Sequence, residues 1–156
     1  MMQSTTLPDM VYKNSFVDSD RTMLELLNSI RKHEGFRAKV YKDTLDFDTI
    51  GYGFAIKDLV LDEDIANIIL QRKLEALIRG IEFKFGWYAD LPKAVKDVVI
   101  EMCYQMGITG FSKFKKTIKH LKNEEWELAA SEMLISRWHE QTPLRSKTLS
   151  DRLRVV

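Results

Sequence analysis

The chain has 156 residues, 45% of them hydrophobic and 30% charged, with a formal net charge of +1. This length and apolar content suit one domain, or two small lobes, with a real core, and argue against general disorder and against a strongly basic nucleic-acid binder. A single cysteine, Cys103, excludes an intrachain disulfide, and no apolar run approaches the roughly 18 residues of a membrane span.

Residues 1–20 mix Ser, Thr, Asp and Pro8 with isolated Val11, Tyr12 and Phe16. They read as a peripheral arm with little regular structure, packed locally through Tyr12 and Phe16. Asp20 is a cap candidate for a first helix in which Met23, Leu26, Leu27 and Ile30 recur at helical spacing. Glu34 followed by Gly35 marks its end. Two extended runs, 36–41 and 49–53, flank a polar turn at 42–48 and read as a hairpin. Asp62 then caps a long helix carrying Ile65, Ile68, Ile69, Leu74, Leu77 and Ile78 and ending near Gly80. Such a helix suits a bridge between a small sheet-bearing lobe and a helical one. An aromatic loop with Phe85, Trp87 and Tyr88 follows, and Pro92 opens the most apolar helix, with Val95, Val98, Val99, Met102, Cys103 and Met106. Gly107 and Gly110 are expected to end it, and Cys103 is expected to fill core. A lysine-rich helix to about Lys122, a helix capped by Asn123, and a last helix opened by Thr142-Pro143 complete the chain. The expected class is α+β and mainly helical. The arm occupies 1–20 and one domain occupies 21–156. That domain has a small lobe at about 31–61, a connecting helix at about 62–80, and a helical lobe at about 81–156 together with the first helix.

Two carboxylates stand out. Glu34 sits at a helix C-terminus, whose negative end disfavours an ionised carboxylate and would raise its pKa, as a general acid needs. Asp43 lies on an exposed turn and should stay ionised. Carboxylates with pKa values pushed apart are the pattern of acid/base glycoside hydrolysis. His33, His120 and His139 are scattered without metal-ligand spacing, so neither a metal nor a cofactor is expected. Gly51-Tyr52-Gly53 lacks the third glycine of a dinucleotide-binding turn. Residues 111–122 interleave lysines and aromatics, but Phe111, Phe114, Ile118 and Leu121 form one apolar face, which favours an amphipathic helix over a nucleic-acid binder. Residues 110–156 carry ten Lys and Arg against six Asp and Glu, a net of +4, which suits a polyanionic partner such as bacterial cell wall.

Three separate pieces carry a resemblance. They are Glu34-Gly35 with Lys42-Asp43-Thr44 and Thr49-Ile50-Gly51-Tyr52-Gly53; Gln105-Met106-Gly107 with Thr109-Gly110; and Ser136-Arg137-Trp138-His139-Glu140-Gln141-Thr142-Pro143-Leu144-Arg145. In this order they resemble the phage-type lysozymes, glycoside hydrolase family 24, with the likeness covering about residues 23–154. The resemblance implies a small N-terminal lobe with a sheet, a long connecting helix, a helical C-terminal lobe and a cleft between lobes. It implies hydrolysis of the β-1,4 bond between N-acetylmuramic acid and N-acetylglucosamine in peptidoglycan. Glu34 would be the general acid, Asp43 the carboxylate that activates or stabilises the attacking water, and Thr49 a hydroxyl that helps hold it. An inverting reaction would need the carboxyl groups about 6.5–9.5 Å apart. Arg145 matches the family arginine that pairs with the catalytic Glu, and its charge would lower the Glu34 pKa, opposing the effect of the helix end. Tyr104, Gln105, Thr117, Glu132 and Gln141 fall at substrate-contact positions, Glu132 where a family member has asparagine. Trp138 also matches, and a tryptophan between apolar helices favours core.

The sequence departs from the family pattern at Phe54, where histidine is usual, and at Leu45-Asp46, where a glycine is common. A catalytically weak wall-binding protein of the same fold is one alternative, and a lytic transglycosylase, which does not need Asp43, is another. The expected partner is peptidoglycan, with no nucleic acid, and the protein is expected to be a monomer. It is expected to be made in a bacterial cytoplasm without a signal peptide and to reach the wall through a separate pore or secretion apparatus.

Overall fold

A computed structural model of the chain describes the backbone of residues 9–156, with side chains from Asp20 onward. The expectations for residues 1–8 and for Tyr12 and Phe16 lie outside the described residues. The elements run in the order α1 (Asp9–Glu34), β1 (Arg37–Lys42), β2 (Asp48–Gly51), β3 (Phe54–Ala55), α2 (Glu63–Lys84), α3 (Lys93–Phe111), α4 (Lys115–Lys122), α5 (Trp126–Leu134), α6 (Arg137–Gln141) and α7 (Pro143–Arg154). Short 3-10 turns occupy Ile56–Asp58 and Gly86–Asp90. The described chain is mostly helical with one small antiparallel sheet, the α+β class expected from the sequence. It divides into two compact units, one ending at Leu61 and the other running from Asp62 to Val156.

The first unit holds α1 and the sheet, ordered β1-β2-β3. β1 pairs with β2 from Arg37 opposite Gly51 to Lys42 opposite Asp48, with an irregularity between Arg37 and Tyr41. Thr49 faces Ala55 and Ile50 faces Phe54 across the second hairpin. α1 ends where the sequence predicts, because Gly35 adopts φ +67° and its N–H donates to the Arg31 carbonyl at 3.1 Å. Its other end corrects the sequence reading. The helix spans Asp9–Glu34, so residues 9–20 are helical where an arm of little regular structure was expected, and Asp20 lies inside the helix and not at its cap.

The second unit has the hydrophobic core. Ile81, Val95, Val98, Val99, Met102, Phe111, Leu121, Met133, Leu149 and Leu153 are completely buried. α5 packs on α7 and α4, and α3 on α2 and α7. Ala129 and Ala130 let α5 and α7 approach closely, and the buried Ser150 hydroxyl donates to the Ala130 carbonyl at 3.1 Å. Cys103 is in this core, as expected, and burial pushes its thiol up to about 12.

Three helix ends differ from the sequence reading. α2 continues through Gly80 to Lys84, and a Cβ on Gly80 would lie 2.7 Å from Ile108 Cδ1. Gly80 therefore serves close packing of α2 on α3 and does not end the helix. Gly107 interrupts α3 at φ 75° and ψ 161°, but helical turns resume as far as Phe111. Asn123 follows the end of α4, Glu124 turns at φ 58°, and Glu125 is the residue that precedes α5.

Candidate active site

Glu34, Asp43 and Thr49 all belong to the first unit, and each is held differently. Glu34 is the last residue of α1 and is exposed. Its carboxyl lies against the tip of the β2–β3 hairpin: a Cβ on Gly53 would fall 2.7 Å from Glu34 Oε2. Tyr52, at the same tip, contacts the Phe36 ring at 5.4 Å and the Phe54 ring at 6.4 Å. The start of β1 and the hairpin tip are thus fastened together beside the Glu34 carboxyl.

Asp43 follows β1 and organises the turn to β2. Its Oδ1 accepts the N–H of Leu45 at 2.8 Å and of Phe47 at 2.9 Å. Its own N–H donates to the Phe47 carbonyl at 3.0 Å, and its carbonyl accepts the Asp46 N–H at 3.1 Å. An aspartate bonded to nearby backbone N–H groups is the usual way such a side chain fixes a turn. One carboxylate oxygen is committed to the turn, while Oδ2 takes no hydrogen bond among the described residues. Lys42 closes the turn from the other side, its ammonium donating to the Asp46 carbonyl and pairing with Asp48 Oδ1, both at 3.1 Å. Asp46 itself sits at φ 65°, a conformation that favours glycine, within the Leu45-Asp46 stretch where the resemblance leads to the expectation of a glycine.

Thr49 is only 3% exposed and its hydroxyl donates to the Phe47 carbonyl at 3.2 Å. With its proton committed there, the oxygen retains lone pairs to accept from a water. Phe54, the other departure, has its ring against Gly51, where a Cβ would lie 2.8 Å from Cδ2 and Cε2.

The expected substrate contacts lie in the second unit and separate into two groups. Thr117, Glu132 and Gln141 line a groove of about 750 Å³ together with Phe114, Arg137 and Trp138. Lys116 pairs with the half-buried Glu132 at 3.7 Å on its wall. Trp138 is 7% exposed and its Nε1 donates to Gln105 Oε1 at 3.0 Å, so Gln105 supports this tryptophan and Trp138 is core with one edge on the groove. Tyr104 and Arg145 line a different, smaller pocket of about 120 Å³ with Leu70, Leu74, Ile100 and Glu101. Among the described residues no group of three or more His, Cys, Asp or Glu could hold a metal ion, and no helix is long and apolar enough to cross a membrane.

Sequence reasoning missed the roles of Gly53 and Lys42. Both entered the sequence reading as parts of the motifs that carry the resemblance, Lys42-Asp43-Thr44 and Thr49-Ile50-Gly51-Tyr52-Gly53. Neither was given a role of its own, because the hook of Lys42 onto Asp46 and the approach of Gly53 to Glu34 depend on left-handed turns.

Comparison with known proteins gives the family. The family model described as phage lysozyme matches residues 31–154. The chain is 30% identical to "Probable T4-type lysozyme 1" of Dictyostelium discoideum over 75% of its length and 86% of the relative's. It is 29% identical to "Probable T4-type lysozyme 2" of the same organism over 78% of its length and 88% of the relative's. It is 25% identical to the "Pre-baseplate central spike protein Gp5" of Enterobacteria phage T4 over 84% of its length but only 28% of that protein. The family match takes in Glu34, Asp43, Thr49 and the lining of the groove, and the chain belongs to the phage lysozyme family, a family of glycosidases.

Proposed function

We propose that the protein hydrolyses the β-1,4 bond between N-acetylmuramic acid and N-acetylglucosamine in peptidoglycan, with Glu34 as general acid and Asp43 as the carboxylate that directs the attacking water. Glu34 gives its proton to the glycosidic oxygen as the C1–O bond of the muramic residue breaks. Water attacks C1 from the opposite face, and Asp43 takes its proton. The products are a free N-acetylglucosamine hydroxyl and a reducing N-acetylmuramic acid end. Thr49 accepts a hydrogen bond from the same water and limits its orientation. The observation that carries this reading is the division of labour at Asp43: Oδ1 is fixed by two backbone N–H groups, while Oδ2 takes none among the described residues and is available to a water. A carboxylate locked in this way costs little reorganisation when the water arrives.

The groove lined by Thr117, Glu132 and Gln141 is the proposed contact surface for the substrate strand, with Glu132 adding a negative charge there. The stereochemical outcome on this reading is inversion.

The test digests purified peptidoglycan with the wild type and with Glu34→Gln and identifies the new ends. Reducing N-acetylmuramic acid from the wild type and almost none from Glu34→Gln support the reading. Anhydro ends would replace it with a lytic transglycosylase, and binding without new ends would replace it with a wall-binding protein.

A further inference from the structure

Gly53 differs from two other left-handed glycines of the chain. Gly35 and Gly107 have φ of +67° and +75°, and a Cβ on either would meet nothing within 4 Å. Gly53, at φ +78°, would place a Cβ 2.7 Å from Glu34 Oε2, 3.3 Å from Cδ and 3.8 Å from Cγ. These three nearest atoms all belong to one side chain, so the space left by the missing Cβ is taken by the Glu34 carboxyl. The Phe36–Tyr52 ring contact ties the hairpin tip to the segment that follows α1, and the Tyr52–Phe54 contact braces the tip itself.

We propose that Gly53 is a positioning residue for the general acid: its bare backbone forms a notch that seats the Glu34 carboxyl and fixes where the acid's proton is delivered. A methyl group in the notch meets the far end of a flexible side chain, not backbone. The protein therefore accommodates it by swinging Glu34 away, and the loss falls on catalysis more than on the fold. The inference rests on the reading of Glu34 as the acid.

The experiment measures kcat and KM on peptidoglycan for Gly53→Ala, Gly53→Asn, Glu34→Asp and the Glu34→Asp/Gly53→Ala double variant, with thermal melts of each. Asparagine tolerates positive φ better than alanine and still carries the Cβ, so it separates backbone strain from the contact. Both Gly53 variants are expected to melt cooperatively and to lose about 100-fold in kcat, the order of effect of misplacing a reacting group by about 1 Å. KM should stay within about two-fold, since the acid acts in the transition state. Glu34→Asp withdraws the carboxyl from the notch by one methylene. The double variant should therefore be no slower than Glu34→Asp alone, as expected for two changes acting through one contact.

A folded Gly53→Ala with kcat within about two-fold of wild type would overturn the proposal. So would losses that multiply in the double variant, or unfolding of both Gly53 variants at room temperature, which would make Gly53 a residue of the fold alone. Full activity of Glu34→Gln would instead overturn the acid assignment. Inactive Glu34→Gln beside normal Gly53→Ala would leave that assignment standing and remove only the notch.

Discussion

Replacing Asp43 by asparagine and by alanine separates its two duties. The Asp43→Asn variant keeps an acceptor oxygen where Oδ1 receives the Leu45 and Phe47 N–H groups, but it has no charge and no base. The Asp43→Ala variant loses both hydrogen bonds as well. Both bonds lie on an exposed turn, so each contributes less than the roughly 1.5–3 kcal/mol usual for a charged acceptor, about 1 kcal/mol, or about 2 kcal/mol for the pair. For a chain of this size that corresponds to a fall in Tm of about 4–8 °C for Asp43→Ala, and about 2 °C or less for Asp43→Asn. Both variants should lose about 10²–10⁴-fold in turnover, the usual contribution of a positioned base. Thermal melts and muropeptide release give the two readouts. Equal destabilisation by both substitutions would refute the argument that Oδ1 is the turn's anchor. A stable Asp43→Asn with wild-type turnover would refute the role of the charge.

Asp46→Gly should stabilise the protein by about 0.5 kcal/mol, seen as a Tm rise of about 1–2 °C, because Asp46 holds φ 65° without glycine's freedom; a fall in Tm would show that the Asp46 side chain supports the turn. Cys103 gives a pH dependence. Its thiol keeps its proton in the folded protein up to about 12, whereas the unfolded chain releases it from its ordinary value of 9.0. Above pH 9 the unfolded state therefore holds fewer protons, and stability falls by up to about 1.4 kcal/mol per pH unit until about pH 12. Denaturant midpoints from pH 8 to 11 should drop less steeply for Cys103→Ala than for wild type, and identical slopes would contradict the assignment.

The parts of the fold that were legible in the sequence are those where a local signal had no rival. Glu34-Gly35 ends α1 because glycine alone adopts φ +67° without cost, and two extended runs around a polar turn gave the β1–β2 hairpin, though not the third strand β3, where Phe54 and Ala55 read as a connection. The apolar stripe of α3 gave the core, down to Cys103. The errors arose where one residue type serves two purposes. Gly80 resembled a helix stop, but its missing Cβ admits Ile108, a tertiary contact that no single-segment pattern contains. Asn123 resembled an N-cap, yet the two residues after it complete the turn, with Glu124 taking the left-handed conformation that asparagine more often supplies. Asp20 resembled a cap, but an aspartate inside a helix costs only a fraction of a kcal/mol, roughly 0.5, and does not stop it.

The site was legible in the same uneven way. Glu34 and Asp43 stood out by their chemistry and Thr49 by resemblance, and Thr117, Glu132 and Gln141 do line one groove. Tyr104 was grouped with them by resemblance but lines a separate pocket with Arg145, and Gln105 turned out to be bonded to Trp138. Neighbouring side chains on a helix can face different cavities, and the sequence does not record which. The Gly53 notch required coordinates, because what matters there is an atom that is absent.

The most direct measurement is the steady-state turnover of purified peptidoglycan by wild type and Glu34→Gln, with Tm recorded for both. Glutamine keeps the size of the side chain beside Gly53 and removes only the acidic proton. Melting should be unchanged and turnover should fall by at least about 100-fold, the low end for loss of a general acid. Turnover by Glu34→Gln equal to wild type, with the fold intact, would contradict Glu34 as the acid.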